Sequence, residues 1–292
     1  MTRRGLSRRL KPIPIKMLIV GVGPIIGLDF LWNVLGNVLR VSPEMVGGLD
    51  YLATFLLVGG AIWVAGRLTG ETTPRVLHST GVFNFSLAPL LIGATSCALV
   101  LPLYVWVLPS RGIPTALPSW YSVPRAAWVL TVVCIREELI YRGVLFRLLR
   151  QGRSFSFAGT VAAVVFAIAH SHVLSQDWEL YSGDMSGTSA LMVIWFVWSF
   201  ALCVLYERGR CALWACVLLH LAIVSQLLFG IDLPQGKPLD PVFMDGALAH
   251  KLLLPLLVMP VCWLVLPGRQ KKGAEAHQPG GKREGRGTQV RS

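Results

Sequence analysis

The sequence contains a series of apolar runs, each close to the ~20 residues that an α-helix needs to cross a bilayer. With 54% apolar and only 14% charged residues, the chain of 292 residues is too hydrophobic for an ordinary soluble domain. We therefore predict an all-α fold, a polytopic membrane helical bundle of about eight transmembrane helices. The predicted spans are about 17–39, 47–66, 86–108, 125–149, 156–174, 188–206, 211–229 and 248–266.

The positive charge of the chain is concentrated in its two tails. Residues 1–16 carry six basic and no acidic side chains, and residues 268–292 carry seven basic and two acidic ones. The positive-inside rule places both tails in the cytoplasm and the acidic segment 176–187 outside. An even number of spans agrees with this, because it puts both tails on the same side. We expect a basic N-terminal segment 1–16, a membrane-embedded domain 17–267 and a flexible basic tail 268–292. Because the basic residues flank spans, we expect no nucleic-acid partner.

The predicted span 125–149 includes the stretch CIREELIYRGVLF, which has four charged side chains at membrane depth: Arg136, Glu137, Glu138 and Arg142. Each would cost about 2.5–3.5 kcal/mol if it faced lipid alone, so they must face the protein interior. Glu138 and Arg142 are four residues apart and share a helix face, whereas Glu137 lies on a second face about 100° away. An internal ion pair between Glu138 and Arg142 is one explanation, but it leaves Glu137 unexplained.

Two histidines lie in other predicted spans, His170 at the end of FAIAH and His220 at the end of CALWACVLLH. At ~1.5 Å per residue, Glu138, His170 and His220 lie about 16, 21 and 14 Å from the cytoplasmic ends of their helices. All three can therefore meet near the middle of the membrane. A carboxylate and an imidazole that converge on a water form a general base, and a second imidazole can donate to an oxyanion. Two Glu and two His are also acceptable Zn²⁺ ligands, so the residues alone leave a metal site open.

Three sequence blocks carry a resemblance to a known family. EELIYR matches EExxxR, FAIAH matches FxxxH, and YERGRCALWACVLLH is similar to the third block, which leads into a histidine. Over about residues 125–230, the chain resembles the CAAX-processing and bacteriocin-processing (CPBP, or Abi) family of glutamic-type intramembrane endopeptidases. The resemblance implies an integral membrane endopeptidase of the bacterial inner membrane. Its substrate would be a membrane-tethered protein or peptide, and it would need no metal or other cofactor.

The resemblance also implies a role for each matching residue. Glu137 would activate water and His170 would help to hold it. Glu138 and Arg142 would organise the site. His220 would stabilise the oxyanion of the tetrahedral intermediate.

One position departs from the family pattern. The family usually has Asn four residues after the last histidine, whereas this sequence has Val224, with Ser225 and Gln226 as the nearest polar residues. The loss of one oxyanion donor typically costs about 10²- to 10³-fold in rate. The chain is therefore either an active peptidase with another donor or a weak or inactive relative that acts as a peptide-binding scaffold or immunity protein. An ion transporter is disfavoured, because charged and polar residues are few outside the first and fourth predicted spans.

The first predicted span contains a further polar stripe. Asp29, Asn33 and Asn37 recur every four residues and so line one face of the helix. Polar side chains at membrane depth turn inward, and we expect this face to form interhelical hydrogen bonds.

Overall fold

A computed structural model describes residues 13–38, 43–102, 126–127, 129–170, 185–224 and 241–266. Within these ranges the regular structure is helical and no strand occurs, which confirms the all-α class. The α-helices are α1 Ile15–Val38, α2 Pro43–Thr69, α3 Thr73–Thr80, α4 Leu87–Pro102, α5 Arg147–Arg150, α6 Phe155–Ala169, α7 Met185–Arg208, α8 Leu213–Ile223 and α9 Pro241–Val265. Two further segments are π-helical, π1 Val129–Ile135 and π2 Glu138–Phe146.

Each predicted span overlaps a helix, but the number of spans is not confirmed. In the part of the chain that the structure describes, only Tyr51–Thr69 is both long and apolar enough to cross a membrane by itself. Four shorter apolar helices are Leu87–Val100, Phe155–Ala169, Leu213–Ile223 and Leu252–Val265. The count of eight therefore stays a prediction.

The bundle buries charged side chains and exposes large apolar ones, the reverse of what a soluble protein does. Arg136, Glu137, Glu138 and Arg142 are at most 4% exposed. Large apolar side chains face outward instead: Phe55 of α2 is 78% exposed and Leu264 of α9 is 85% exposed. Buried charges and an apolar outer surface are the distribution expected of a bundle whose solvent is lipid.

The segment from π1 to α5 lies at the centre of the bundle. Every residue of π2 is buried, and π2 packs against α2, α3, α6, α7 and α8. Around it, α4 pairs with α8, and α7 packs against both α6 and α9. Both α6, which His170 directly follows, and α8, which contains His220, therefore contact π2, the helix that begins at Glu138.

The backbone of this central segment differs from the sequence prediction. The charged run predicts one continuous helix over 125–149, whereas π1 and π2 have the wider π-helical turn, with two α-helical residues between them at 136–137. Such π segments are rare and frequently occur at functional sites. The charged residues lie within this unusual stretch of backbone.

A short helix that the sequence analysis did not predict, α3, lies between α2 and α4. Its first turn contains Pro74, and it ends at Gly81, which has a left-handed φ of 86°. Val76 and Thr80 of α3 are buried, and Tyr206 of α7 donates a hydrogen bond to the carbonyl of Thr80. This helix packs against α2 and π2.

Candidate active site

Three side chains from three separate elements meet inside the bundle. Oε2 of Glu137 lies 3.2 Å from Nε2 of His170 and 3.8 Å from Nε2 of His220. Glu137 directly precedes π2, His170 directly follows α6, and His220 lies in α8. The predicted convergence of the acidic residue and both imidazoles is therefore confirmed as geometry, and none of the three is more than 9% exposed.

The second glutamate is engaged by a different set of groups. Oε1 of Glu138 lies 2.7 Å from Nδ1 of His220 and accepts a hydrogen bond from Nη1 of Arg142 at 3.1 Å. Nη2 of the same arginine donates to Oγ of Ser199 at 2.8 Å, and its guanidinium lies 4.6 Å above the ring of Phe166. The ion pair predicted between Glu138 and Arg142 is therefore present, and it is tied to His220.

The two glutamates hold the ring of His220 from opposite sides. A carboxylate can only accept hydrogen bonds, so Nδ1 of His220 carries the proton that it donates to Glu138. This contact fixes the orientation of the ring and directs Nε2 toward Glu137. Glu138 and Arg142 thus act on the cluster through His220 rather than through Glu137.

His170 is held in an equally defined orientation. Its Nδ1 lies 2.8 Å from the carbonyl oxygen of Phe166, so this nitrogen is the donor. Its ring contacts those of Phe166, at 4.1 Å, and Trp195, at 4.7 Å between centroids. Nε2 then faces the carboxylate of Glu137. The pair can share a proton, which is what a general base that later acts as an acid requires.

Arg136, for which the sequence indicates no role in the site, lies beside Glu137. Its Nη2 lies 3.5 Å from Oε1 of Glu137, and its Nε lies 3.4 Å from Oδ1 of Asp29. Tyr141 donates to Oδ2 of Asp29 at 3.4 Å. The inward orientation predicted for the polar face of α1 is confirmed for Asp29, whereas the side chains of Asn33 and Asn37 lie outside the described part.

Two tryptophans of α7 also border the site, and the sequence analysis missed both. The ring of Trp198 lies 5.8 Å from that of His220, and the rings of Trp195 and Trp198 are 4.9 Å apart. Neither buried indole N–H has a hydrogen-bond acceptor among the residues that the structure describes. Their spacing of three residues, which puts both on one face of α7, is the sequence feature that could have identified them as a pair.

Val224 lies one turn beyond His220, at the end of α8. It is buried, and its backbone N–H donates to the carbonyl of His220 at 3.0 Å. Its side chain offers no donor at the position where the family pattern has Asn. Ser225 and Gln226 lie outside the described residues.

The nitrogen and oxygen atoms of the cluster that could bind a metal ion contact protein groups instead. In the described ranges, no three His, Cys, Asp or Glu side chains are arranged to hold one metal ion. Nδ1 of each histidine is turned to a protein oxygen, and the two carboxylates approach different nitrogens of His220. The arrangement is suited to moving a proton between Glu137 and His170 and to donating from His220.

Comparison with known proteins finds one family of membrane enzymes that is similar to this part of the chain. The family model described as type II CAAX prenyl endopeptidase Rce1-like matches residues 118–225. This match confirms the resemblance to the CPBP family and supports a CAAX-type intramembrane protease fold. The matched segment, about a third of the chain, contains Glu137, Glu138, Arg142, His170 and His220. No curated protein and no solved structure matches the chain.

Proposed function

We propose that this protein is an intramembrane endopeptidase that hydrolyses a peptide bond in a membrane-tethered protein or peptide, with water activated by Glu137 and His170. The observation that carries the proposal is the 3.2 Å contact between Oε2 of Glu137 and Nε2 of His170 inside an apolar-coated bundle. A buried carboxylate held by an imidazole has no packing function that an apolar residue would not serve at lower cost. The match to a peptidase family over the same residues supports the reaction class.

In the proposed reaction, Glu137 accepts a proton from water while the oxygen forms a bond to the carbonyl carbon of the substrate. The negative charge that develops on the carbonyl oxygen is stabilised by Nε2–H of doubly protonated His220, whose Nδ1–H is anchored to Glu138. The proton held between Glu137 and His170 then passes to the leaving nitrogen as the C–N bond breaks. Water is consumed, and a carboxylic acid and an amine are produced.

The remaining buried charges are positioning residues in this scheme. Arg142, bonded to Ser199, keeps Glu138 in place for His220. Arg136 contacts Oε1 of Glu137, which leaves Oε2 turned to the histidines. Deleting any one of these charges would leave its carboxylate partners buried with one counter-charge fewer, and breaking a buried ion pair typically costs about 3–5 kcal/mol.

The indole N–H of Trp198 supplies the donor that Val224 cannot. A buried donor without an acceptor costs about 1–3 kcal/mol, so a fully buried indole beside His220 is favoured when a substrate carbonyl accepts from it. This assignment reconciles an active site with the departure from the family pattern.

The second candidate is a non-catalytic peptide-binding scaffold or immunity protein with the same fold. The absence of an amide donor at Val224 favours it, because the oxyanion would lose one hydrogen bond. The two candidates differ in whether a bound peptide is cut.

The test uses full-length protein in liposomes and a quenched fluorescent prenylated CAAX peptide as the probe. The wild type is expected to cleave the probe in the presence of EDTA, and Glu137→Gln is expected to remove cleavage while retaining peptide binding. Glu71→Gln is the matched control, since Glu71 also pairs with an arginine but lies outside the site. Cleavage by Glu137→Gln would overturn the mechanism. Cleavage by the wild type that EDTA abolishes would favour a metal site. A wild type that binds the peptide without cleaving it would favour the scaffold.

A further inference from the structure

A cavity lies at an arginine-rich end of the bundle, and its lining is separate from the glutamate and histidine cluster. It has a volume of ≈ 590 Å³ and is bordered by the end of α3, the end of π2 with α5, and the turn between α7 and α8. None of the five predicted site residues lines it. Among the residues that line it are His78, Phe83, Arg147, Arg150, Glu207 and Arg210.

The cavity has an excess of positive charge. Its lining contains three arginines and a single glutamate, and that glutamate is already paired with Arg150, at 3.1 Å from Nη2. Arg147 uses Nη2 to bind Glu71 at 2.7 Å, and its Nη1 has no partner among the described residues. In the same part of the chain, no carboxylate forms an ion pair with Arg210. An anion with several acceptor oxygens would complement these guanidinium groups, because planar N–H forks match phosphate geometry.

The backbone that presents Arg210 is strained. Arg210 and Cys211 have φ values of 57° and 68°, in the left-handed region that favours glycine. The turn is held by Asn84, whose Nδ2 donates to the carbonyl of Arg210 at 2.6 Å. It also depends on Gly81, where a Cβ would be 1.9 Å from the carbonyl oxygen of Cys211. Such strain persists only where neighbouring contacts impose it, which is common at binding sites.

Exposed aromatic side chains follow α3, and one of them, Phe83, lines the cavity. Phe83 and Phe85 are each 62% exposed, and Phe85 stacks on Trp214 at 5.8 Å between centroids. Trp214 is itself fixed by a hydrogen bond from Nε1 to the carbonyl of Val82 at 2.7 Å. Aromatic rings beside basic side chains at helix ends are typical of the membrane–water interface, where anionic headgroups lie.

We propose that this cavity binds the phosphate-bearing headgroup of an anionic phospholipid. Arg147 and Arg210 bind the phosphate oxygens, and Phe83 and Phe85 contact the glycerol and the first methylenes of the acyl chains. A phospholipid is favoured over free phosphate because the exposed rings adjoin the basic lining. This inference does not depend on peptidase activity.

The experiment compares full-length wild type, Arg210→Gln and Arg153→Gln by native mass spectrometry, after equilibration in micelles that contain phosphatidylglycerol and phosphatidylcholine. Arg153 is the matched control, because it is an exposed arginine at the same end that does not line the cavity. Wild type and Arg153→Gln are expected to retain one phosphatidylglycerol in preference to phosphatidylcholine. Arg210→Gln should bind it about fivefold more weakly, as expected for one basic side chain near an anionic surface.

Two competitors identify the source of the phosphate. Inorganic phosphate at millimolar concentration should leave the bound phosphatidylglycerol in place. Displacement by inorganic phosphate would overturn the lipid assignment in favour of a free-phosphate site, and displacement by a glutamate-rich peptide would assign the cavity to a protein segment. Equal retention of phosphatidylglycerol by wild type and Arg210→Gln would overturn the site itself. Circular dichroism of Arg210→Gln checks that any loss of lipid is not a loss of fold.

Discussion

At the scale of single residues, the proposed peptidase mechanism relies on Trp198 to stabilise the oxyanion, because position 224 has no amide side chain. Trp198→Phe keeps an aromatic ring beside His220 but removes the indole N–H, which has no acceptor among the described residues. We expect kcat for a tethered peptide to fall about 10- to 10³-fold with little change in KM, since an oxyanion donor acts mainly in the transition state. Steady-state kinetics in liposomes would measure both constants.

The matched variant for Trp198→Phe is Val224→Asn. Alone, it should change kcat by less than about threefold, because the indole already fills the donor role. In the Trp198→Phe background it should restore part of the lost kcat. A large increase in kcat from Val224→Asn alone would instead mean that the site lacks a donor and would contradict the role given to Trp198.

The sequence predicted the meeting of the site residues but not the contacts around them. Glu138, the neighbour of Glu137, lies at a calculated depth similar to those of His170 and His220, and groups that are costly in lipid at one depth can satisfy one another. The structure brings Glu137 and both histidines together. The contact between Arg136 and Asp29 joins positions more than 100 residues apart along the chain. Periodicity shows only that such side chains face inward, because the partner depends on how helices pack.

At the scale of elements, the position of His220 depends on how closely α8 approaches α4. Gly93 of α4 lies where an added Cβ would be 2.7 Å from the carbonyl oxygen of Ala215 and 2.8 Å from Cβ of Leu218. On the same interface, Cys97 donates to the carbonyl of Leu218 at 3.1 Å. This contact sets the spacing of the two helices directly beside the histidine.

Gly93→Ala should therefore push α4 away from α8, lower the free energy of unfolding by about 1–3 kcal/mol and reduce kcat. Gly59→Ala is the control, because nothing lies within 4 Å of its added Cβ and alanine changes helix stability by no more than about 1 kcal/mol. Unfolding followed by circular dichroism in detergent and peptide cleavage would be measured for both variants. Equal behaviour of the two would show that the α4–α8 spacing does not position His220.

The sequence located the helices better than it described their backbone. Hydrophobic runs predicted an element at each span because burial in lipid requires long apolar stretches. The π-helical turns of π1 and π2 were missed, since the same pattern of apolar residues fits an α-helix and a π-helix over so few turns. α3 was missed because its eight residues, TPRVLHST, are too few and too polar to form a run.

At the scale of the whole molecule, the number of spans and their orientation rest on charge and hydropathy alone. In the described part of the chain, one helix is long and apolar enough to span a membrane by itself, and several others are shorter. Helix length alone therefore does not establish the topology. The basic tails predict it independently, since an even number of spans is needed to keep both on the cytoplasmic side.

We expect both tails to be cytoplasmic and the segment 176–187 to be on the opposite side. In bacterial spheroplasts, a membrane-impermeant maleimide should label Ser182→Cys before lysis, and should label Ser7→Cys and Ser292→Cys only after lysis. The unsubstituted chain gives the background from its six free cysteines. If Ser7→Cys and Ser292→Cys were labelled from opposite sides, the number of spans would be odd. Labelling of both before lysis would reverse the orientation that the basic tails predict.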